Sequence, residues 1–189
     1  MSSYYYFMAQ LPFLVYEQKP PMSSGSFISL AESLMDEEDS ALIGKLSLDP
    51  ELESALSTGC QFIDGWREWE RTLRLNLAKH RAVYLKRDST SAVEPPFAPA
   101  DAALTASKAV TGESNPLDAE ILIDKARWNA IDSLAGLDNF DRNQAFAYYL
   151  KLLLLERRQA FDAENGFSEY KSLYNQIIED TDNSPGVIK

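Results

Sequence analysis

The sequence predicts a mainly α protein, an antiparallel bundle of about six to seven helices with one long helix and a short extended N-terminal segment. Three observations predict this fold. Apolar residues recur at steps of three or four along several long stretches. Asn115 followed by Pro116 is typical of a helix start, because the asparagine caps and the proline suits the first turn. Gly136 and Gly166 stand where such helices end.

The length and composition fit one domain. The chain has 189 residues, of which 45% are hydrophobic and 25% charged. We therefore expect a single helical domain over residues 1–189. The Ser- and Pro-rich residues 88–100 are a candidate internal linker between 1–87 and 101–180.

The first third of the chain predicts short elements. Residues 3–16 are rich in aromatic and β-branched types, which indicates a strand or extended segment that ends at Pro12 and packs its aromatics onto the helices. Residues 17–25 contain two prolines and a glycine and indicate a loop. Three short helices are then expected: from Ser26, as the cap, to about Met35; from Glu38 to Leu46; and from Asp49, with Pro50 in its first turn.

The longest predicted helix runs from about Gly59 to Arg87, and a weaker one from Ala100 to Val110. The long helix carries one apolar stripe over about seven turns. The residues of this stripe are Phe62, Trp66, Trp69, Leu73, Leu77, His80 and Tyr84.

Three helices are predicted in the C-terminal third, from Asn115 to Gly136, from Asp141 to Glu164 and from Phe167 to Glu179. In the first, the expected buried residues are Leu117, Ile121, Leu122, Trp128, Ile131 and Leu134. In the last, they are Tyr170, Leu173, Tyr174, Ile177 and Ile178.

The charge and targeting signals narrow the class of protein. The net charge is −11, which disfavours nucleic acid and anionic membrane surfaces because both attract clustered cations. The single cysteine fits a reducing compartment. The N-terminus lacks the basic start of a signal peptide, and the Leu-rich run 150–155 is too short to span a bilayer. We expect a cytoplasmic protein.

No residue set predicts chemistry, so we expect no catalytic residue, cofactor or metal ligand, and no enzyme. His80 and Cys60 would lie roughly 30 Å apart on one helix, too far for a dyad. Glu-x-x-His pairs and phosphate-binding loops are missing from the sequence. The acidic run 36–39 lacks the spacing of a calcium loop and is interpreted as a solvated helix start.

Arginines give the most distinctive pattern. Residues 58–87 hold seven Lys or Arg and three acidic residues, a net charge of +4, which leaves −15 for the rest of the chain. Arginine beside tryptophan is typical of binding hot spots. The candidate partner-binding residues are Arg67, Arg71, Arg74, Arg81, Arg157 and Arg158. The alternative is that this basic face packs on the protein's own acidic helices.

Two blocks resemble known families. Tyr4-Tyr5-Tyr6-Phe7 and Leu11-Pro12-Phe13-Leu14 resemble the start of a bacterial family encoded beside V-type ATPase subunits. Residues 115–161, with the patterns Pro-Leu-Asp-x-Glu and Asp-Lys-x-Arg-Trp, are similar, more distantly, to the V/A-type ATPase subunit that is named C, or d in eukaryotes. That subunit is all-helical, sits on the membrane rotor ring and receives the central stalk. The present chain is shorter and has no room for its threefold helical repeat.

The resemblance implies a non-catalytic adaptor in ion or proton transport. Its expected partners are the central-stalk subunits and the membrane rotor ring of a rotary ATPase, with membrane association through protein contacts alone. It implies no nucleotide, small-molecule or ion site. A transient assembly factor and a generic helical adaptor are the alternatives, and a carboxylate- or metal-dependent enzyme is the least favoured.

Overall fold

The computed structural model describes residues 4–50, 57–86, 99–112, 115–159 and 171–176, and within these ranges it contains helices and no strand. The helices are α1 Tyr5–Gln10, α2 Ser24–Leu34, α3 Glu37–Ile43, α4 Gln61–Tyr84, α5 Ala100–Thr111, α6 Pro116–Ala135 and α7 Arg142–Gln159. A further helical segment, α8, covers residues 171–176. The prediction of a mainly α bundle with one long helix is confirmed.

The core lies between α4, α5, α6 and α7, with α2 packed on α7. Helices α4 and α6 are antiparallel, because Glu70 meets Arg127 whereas Gly65 meets Leu134. A Cβ at Gly65 would lie only 2.9 Å from Leu134 Cδ2, so the glycine lets these helices approach closely. Phe27 of α2 stacks on two tyrosines of α7 at 5.4 Å.

Helix α4 follows the predicted stripe only through its first five members. Phe62, Trp66, Trp69, Leu73 and Leu77 are buried. His80 is half-buried and Tyr84 is 77% exposed, so the last member of the predicted stripe faces solvent. No residue of α4 beyond Leu77 belongs to the described core. The apolar spacing therefore continues past the point at which α4 stops packing against other helices.

The two core tryptophans also place their ring N–H groups. Trp66 Nε1 donates to the carbonyl of Ser47 at 2.8 Å. Trp69 Nε1 donates to Asp101 Oδ2 at 2.7 Å, which fixes the start of α5 beside the middle of α4. Helices on both sides of the candidate linker 88–100 therefore pack together. The division into 1–87 and 101–180 stays a prediction, because residues 88–98 lie outside the described part of the chain.

Helix α6 begins as its sequence predicts. The Asn115 side chain accepts a hydrogen bond from the Leu117 amide at 3.0 Å, and Pro116 occupies the first turn. Gly136, with φ of 80°, ends the helix in a conformation that favours glycine.

The predicted buried side of α6 is confirmed in part, since Ile131 lies in the core and Leu122, Trp128 and Leu134 pack against it. Leu117 is exposed, and of the other predicted residues Ile131 is buried while the rest are half-buried. Asp124 and Arg127 are also buried on α6. The apolar pattern alone did not predict them, because charged residues are buried only when they are paired within the core.

The N-terminal segment is helical over α1, so the prediction of an extended segment is wrong there. Tyr4 and Phe7, three residues apart, are both buried, and the Tyr4 amide donates to the Phe140 carbonyl at 2.7 Å. This packing overrides the strand preference of the aromatic residues. The helix ends before Leu11, whose ψ of 129° is extended, as expected for a residue that precedes proline.

Other helix boundaries shift modestly. Helix α2 is capped by Ser23, which accepts from the Ser26 amide at 3.1 Å, and not by Ser26 itself. Helix α3 ends at Ile43, before the predicted Leu46.

Near the C-terminus, Leu173 and Tyr174 of α8 are exposed, so their predicted inward orientation is wrong. Three further predictions fall on residues that the structure does not describe. They are the burial of Tyr170, Ile177 and Ile178, most of the helix from Asp49, and the continuation of α7 to Glu164.

Candidate protein-binding surfaces

A chain of ion pairs crosses the interior from α4 to α7. Its centre is Glu70, whose side chain is 0% exposed. Arg127 binds this carboxylate with two nitrogens, Nε at 3.0 Å and Nη2 at 2.7 Å. Arg74, one turn along α4, donates from Nε to the same carboxylate at 3.0 Å. A buried carboxylate needs this degree of pairing, since an isolated charge in the core is very costly.

The chain of ion pairs continues in both directions. Arg127 Nη1 donates to Asp124 Oδ1 at 2.9 Å, and Arg157 Nη1 donates to the same oxygen at 3.3 Å. Arg157 also reaches Glu120 at 2.9 Å. On the other side, Arg74 pairs with Asp49 and donates to the Leu48 carbonyl at 3.0 Å.

These pairs keep the Arg127 guanidinium charged. Burial lowers its pKa, but the hydrogen bonds and charge of Glu70, together with Asp124, outweigh burial and raise the pKa above its ordinary value. Two of the predicted partner-binding arginines, Arg74 and Arg157, pair with acidic residues of the same chain. For these two residues the geometry matches internal packing, which was the alternative that the sequence left open.

Arg158 is also engaged internally. Its guanidinium lies 5.2 Å from the centre of the Tyr16 ring, and Nη2 is 3.5 Å from Glu17 Oε1. Burial raises the pKa of Tyr16 despite the opposing charge of Arg158. The arginine thus holds the segment after Pro12 against the end of α7.

The remaining three predicted arginines lie at the surface of α4. Arg71 Nη1 is 4.0 Å from Glu68 Oε2, a partly exposed pair that adds little stability. Arg67 is half-buried and close enough to Asp64 to affect its pKa, and Arg81 is exposed. Within the described ranges, neither Arg67 nor Arg81 forms an ion pair. These three residues remain candidates for binding a partner.

The end of α4 combines cations with exposed apolar groups. We call Arg81, Val83, Tyr84, Leu85 and Lys86 the basic end, and all five are exposed. The sequence from residue 71 to residue 87 contains no acidic residue, in a chain with 29. Exposed arginine and tyrosine next to aliphatic side chains are typical of protein-binding sites.

A second exposed patch lies around α1 and the α6–α7 loop. We call Tyr5, Tyr6, Phe13, Leu137 and Phe140 the aromatic surface; all five are exposed, Phe13 to 87% and Leu137 to 100%. The rings of Tyr5 and Phe140 are 4.8 Å apart, so the N-terminal segment and the loop join into one patch. Contiguous exposed apolar side chains of this kind mark interaction sites.

A groove of about 270 Å³ runs beside the aromatic surface. Its lining includes Met8, Leu11, Phe13, Phe140 and Tyr148. Tyr148 donates its hydroxyl to the Pro12 carbonyl at 2.7 Å, and burial raises its pKa to about 12. Sequence reasoning missed this surface because it assigned all N-terminal aromatics to the core. The sequence did hold a signal for this surface. Tyr4 and Phe7 are three residues apart and share one face of a helix, which places Tyr5 and Tyr6 on the opposite, exposed face.

The acidic run 36–39 at the start of α3 was interpreted from the sequence as a solvated helix start, but one of its four residues is buried. Asp39 is buried; it accepts from the Tyr4 hydroxyl at 2.6 Å and from Arg142 Nη1 at 3.2 Å. The Tyr4 hydroxyl also lies 3.0 Å from Asp36 Oδ2. This hydrogen bond from Arg142 to Asp39 raises the pKa of Arg142. The run therefore anchors α1 and α7 to α3.

The ranges that the structure describes contain neither a metal-binding cluster nor a membrane-spanning helix. No group of three or more His, Cys, Asp or Glu is arranged there to hold a metal ion. No described helix has both the length and the apolar character needed to cross a bilayer. Cys60 is buried at the start of α4 and His80 lies near its end.

No protein-family model, curated protein or solved structure matches this chain.

Proposed function

We propose that the protein is a non-catalytic adaptor of a rotary V-type ATPase, which connects the central stalk to the membrane rotor ring. One observation carries the proposal: the aromatic surface is built largely from the N-terminal residues that resemble the ATPase-associated family. The choice of partner rests on that resemblance and on residues 115–161. In this role the protein lies at the cytoplasmic side of the membrane and is held there by protein contacts.

The residues of the N-terminal motif have two roles, since some are buried in the bundle and others are exposed. Tyr4, Phe7 and Leu14 are buried and hold the segment to the bundle. Tyr5, Tyr6 and Phe13 point into solvent, where each costs free energy unless a partner covers it. A segment used only for packing would need none of these exposed aromatics.

The fold suits the aromatic surface to a load-transmitting contact. Its loop residue Phe140 is fixed by the Tyr4 amide, and the next helix, α7, is tied to α6 by Arg157. The N-terminal part of this surface is anchored by the buried Tyr4 and Phe7, and an anchored surface loses less conformational entropy when it binds. Arg67 and Arg71 are proposed to add a charged contact with another protein of the complex.

The test is co-purification from the native host under mild detergent, followed by native mass spectrometry. We expect central-stalk and rotor subunits in stoichiometric amounts. In a variant with Tyr6→Ser and Phe13→Ser, recovery should fall more than about tenfold, because two aromatic anchors are removed. Leu104→Ser is the matched control, since Leu104 is similarly exposed but lies on α5, outside both sequence blocks.

The outcomes separate the alternatives. Failure of the wild-type protein to recover any rotary ATPase subunit overturns the proposal. Substoichiometric recovery, limited to incompletely assembled complexes, favours a transient assembly factor. Equal recovery by the double variant and the Leu104→Ser control shows that the aromatic surface is not the contact.

A further inference from the structure

We propose that the protein also associates with itself head to tail, with the basic end of α4 from one copy bound in the groove between α2 and α3 of a second copy. This inference does not depend on the proposed function. It uses surfaces outside the aromatic surface, and it is tested with the purified chain alone.

The groove between α2 and α3 is apolar at its floor and acidic at its rim. It has a volume of about 500 Å³ and is lined by Ile28, Ala31 and Met35 together with Glu32 and Glu37. Both glutamates are exposed, and neither forms an ion pair within the residues that the structure describes. Small residues such as Ala31 and a flexible methionine let a helix end approach closely.

The two surfaces have opposite charge. Residues 20–44 contain five acidic residues and no Lys or Arg, whereas residues 71–87 contain six Lys or Arg and no acidic residue. In the proposed contact Arg81 and Lys86 face Glu32 and Glu37. Opposite patches of this kind attract and orient one another, while wrongly docked surfaces of like charge repel.

The apolar groups also match. Val83, Tyr84 and Leu85 are exposed at the end of α4 and have no place in the described core. The groove offers them an apolar floor with Ile28 and Met35, which are half-buried and buried. Tyrosine and arginine are among the residue types that contribute most to protein binding, and the basic end offers both in Tyr84 and Arg81.

One copy of the folded chain does not make this contact with itself. Among the described residues, the segment after α3 meets α4 at Trp66 and no further along than Arg74, which donates to the Leu48 carbonyl. Tyr84 lies 10 residues beyond Arg74, roughly 15 Å further along the helix. Within one copy the basic end is exposed and the groove is open, so the proposed contact joins two copies.

The geometry makes the interface heterologous, because the two sides use different surfaces. Such contacts add copies one after another unless a ring closes. Sedimentation velocity should therefore show an average mass that rises with protein concentration. Higher salt should reduce it, since exposed charges are screened.

The decisive experiment exchanges the charges. The basic-end variant carries Arg81→Glu and Lys86→Glu, and the groove variant carries Glu32→Lys and Glu37→Lys. Each alone should weaken association by more than about tenfold, because like charges then meet. An equimolar mixture should regain the wild-type mass, because the reversed surfaces complement each other. Helical circular dichroism should stay at the wild-type value, because all four sites are exposed. Thermal midpoints should fall by only a few degrees, since the reversed charges oppose the helix dipoles at the start of α3 and the end of α4.

The control variant carries Lys19→Glu and Lys125→Glu, two exposed lysines outside both surfaces, and changes the net charge as much as the basic-end variant does. It should associate like the wild type. The proposal is overturned if the wild type stays monomeric at every attainable concentration, if either charge-reversed variant associates normally, if the mixture fails to recover, or if the control dissociates equally.

Discussion

The two halves of α4 show how differently the same residue type can behave on one helix. Up to Leu77 the helix is buried on one side, and Arg74 binds the buried Glu70. Beyond Leu77 no residue enters the described core, and Arg81 stands exposed beside Tyr84. Both arginines follow the same helical spacing. The carboxylates within reach decide whether an arginine stabilises the fold or faces solvent: Arg74 meets Glu70 of α4 and Asp49 of the preceding segment, whereas Arg81 forms no ion pair within the described residues.

The largest effect is expected from removing Arg127, which binds the buried Glu70 of α4 with two nitrogens. Arg127→Met leaves Glu70 buried with only Arg74, and we expect a loss of about 3–5 kcal/mol in the free energy of unfolding. Urea denaturation measures it. Lys125→Met, two residues away on the exposed side of α6, is the control and should change stability by less than about 0.5 kcal/mol. Equal losses would show that the ion pairs do not support the fold.

A matched pair of charge reversals sharpens the comparison within α4. Arg74→Glu places a second carboxylate beside Glu70 and should cost about 1–3 kcal/mol. Arg71→Glu, three residues earlier, disrupts only the partly exposed pair with Glu68 and should cost less than about 0.5 kcal/mol. Denaturant midpoints of the two variants measure the difference. Similar midpoints would contradict the assignment of Arg74 to the interior.

A smaller effect is expected at the start of α4, where Asp64 closes the turn that leads into the helix. Its carboxylate accepts from the Thr58 amide and hydroxyl, both at 2.8 Å, and from the Ser57 hydroxyl at 2.5 Å. Burial raises the pKa of Asp64, but these hydrogen bonds outweigh burial, and the pKa falls below its ordinary value of 3.8. The ionised form is therefore favoured in the folded state.

The sign of the pH dependence follows from this direction. The contribution is fully present above the unfolded pKa and is lost as pH falls through the lower, folded pKa. Asp64→Asn should cost about 1 kcal/mol at neutral pH. The gap between variant and wild type should close as the solution is acidified through and below pH ~4. Unfolding free energies measured across this range test it, and a gap that widens in acid would contradict the account.

The elements that sequence predicted best are those whose signals are local. Asn115, Pro116 and Gly136 set the bounds of α6 through capping and backbone preferences that need no distant partner. The stripe of α4 from Phe62 to Leu77 was likewise readable from its period alone.

The sequence did not predict what depends on tertiary pairing. Glu70, Asp124 and Arg127 are buried because they meet one another across α4 and α6, yet an apolar pattern counts all three as surface residues. The helix α1 was missed for a related reason. Its aromatic residues prefer strands, and only the packing of Tyr4 and Phe7 selects a helix. The surface arginines could be proposed from sequence, but their separation from Arg74, Arg157 and Arg158 required the structure.

Native-state hydrogen exchange along α4 tests the central contrast most directly. Amides from Trp66 to Leu77 lie in the part of α4 that packs in the core, and those from His80 to Leu85 lie beyond it. We predict that the first group exchanges only through global unfolding, whereas the second exchanges through local opening at a much lower free energy. Equal protection of both groups in the isolated, dilute protein would contradict the account, because the end of α4 would then be as firmly held as the core.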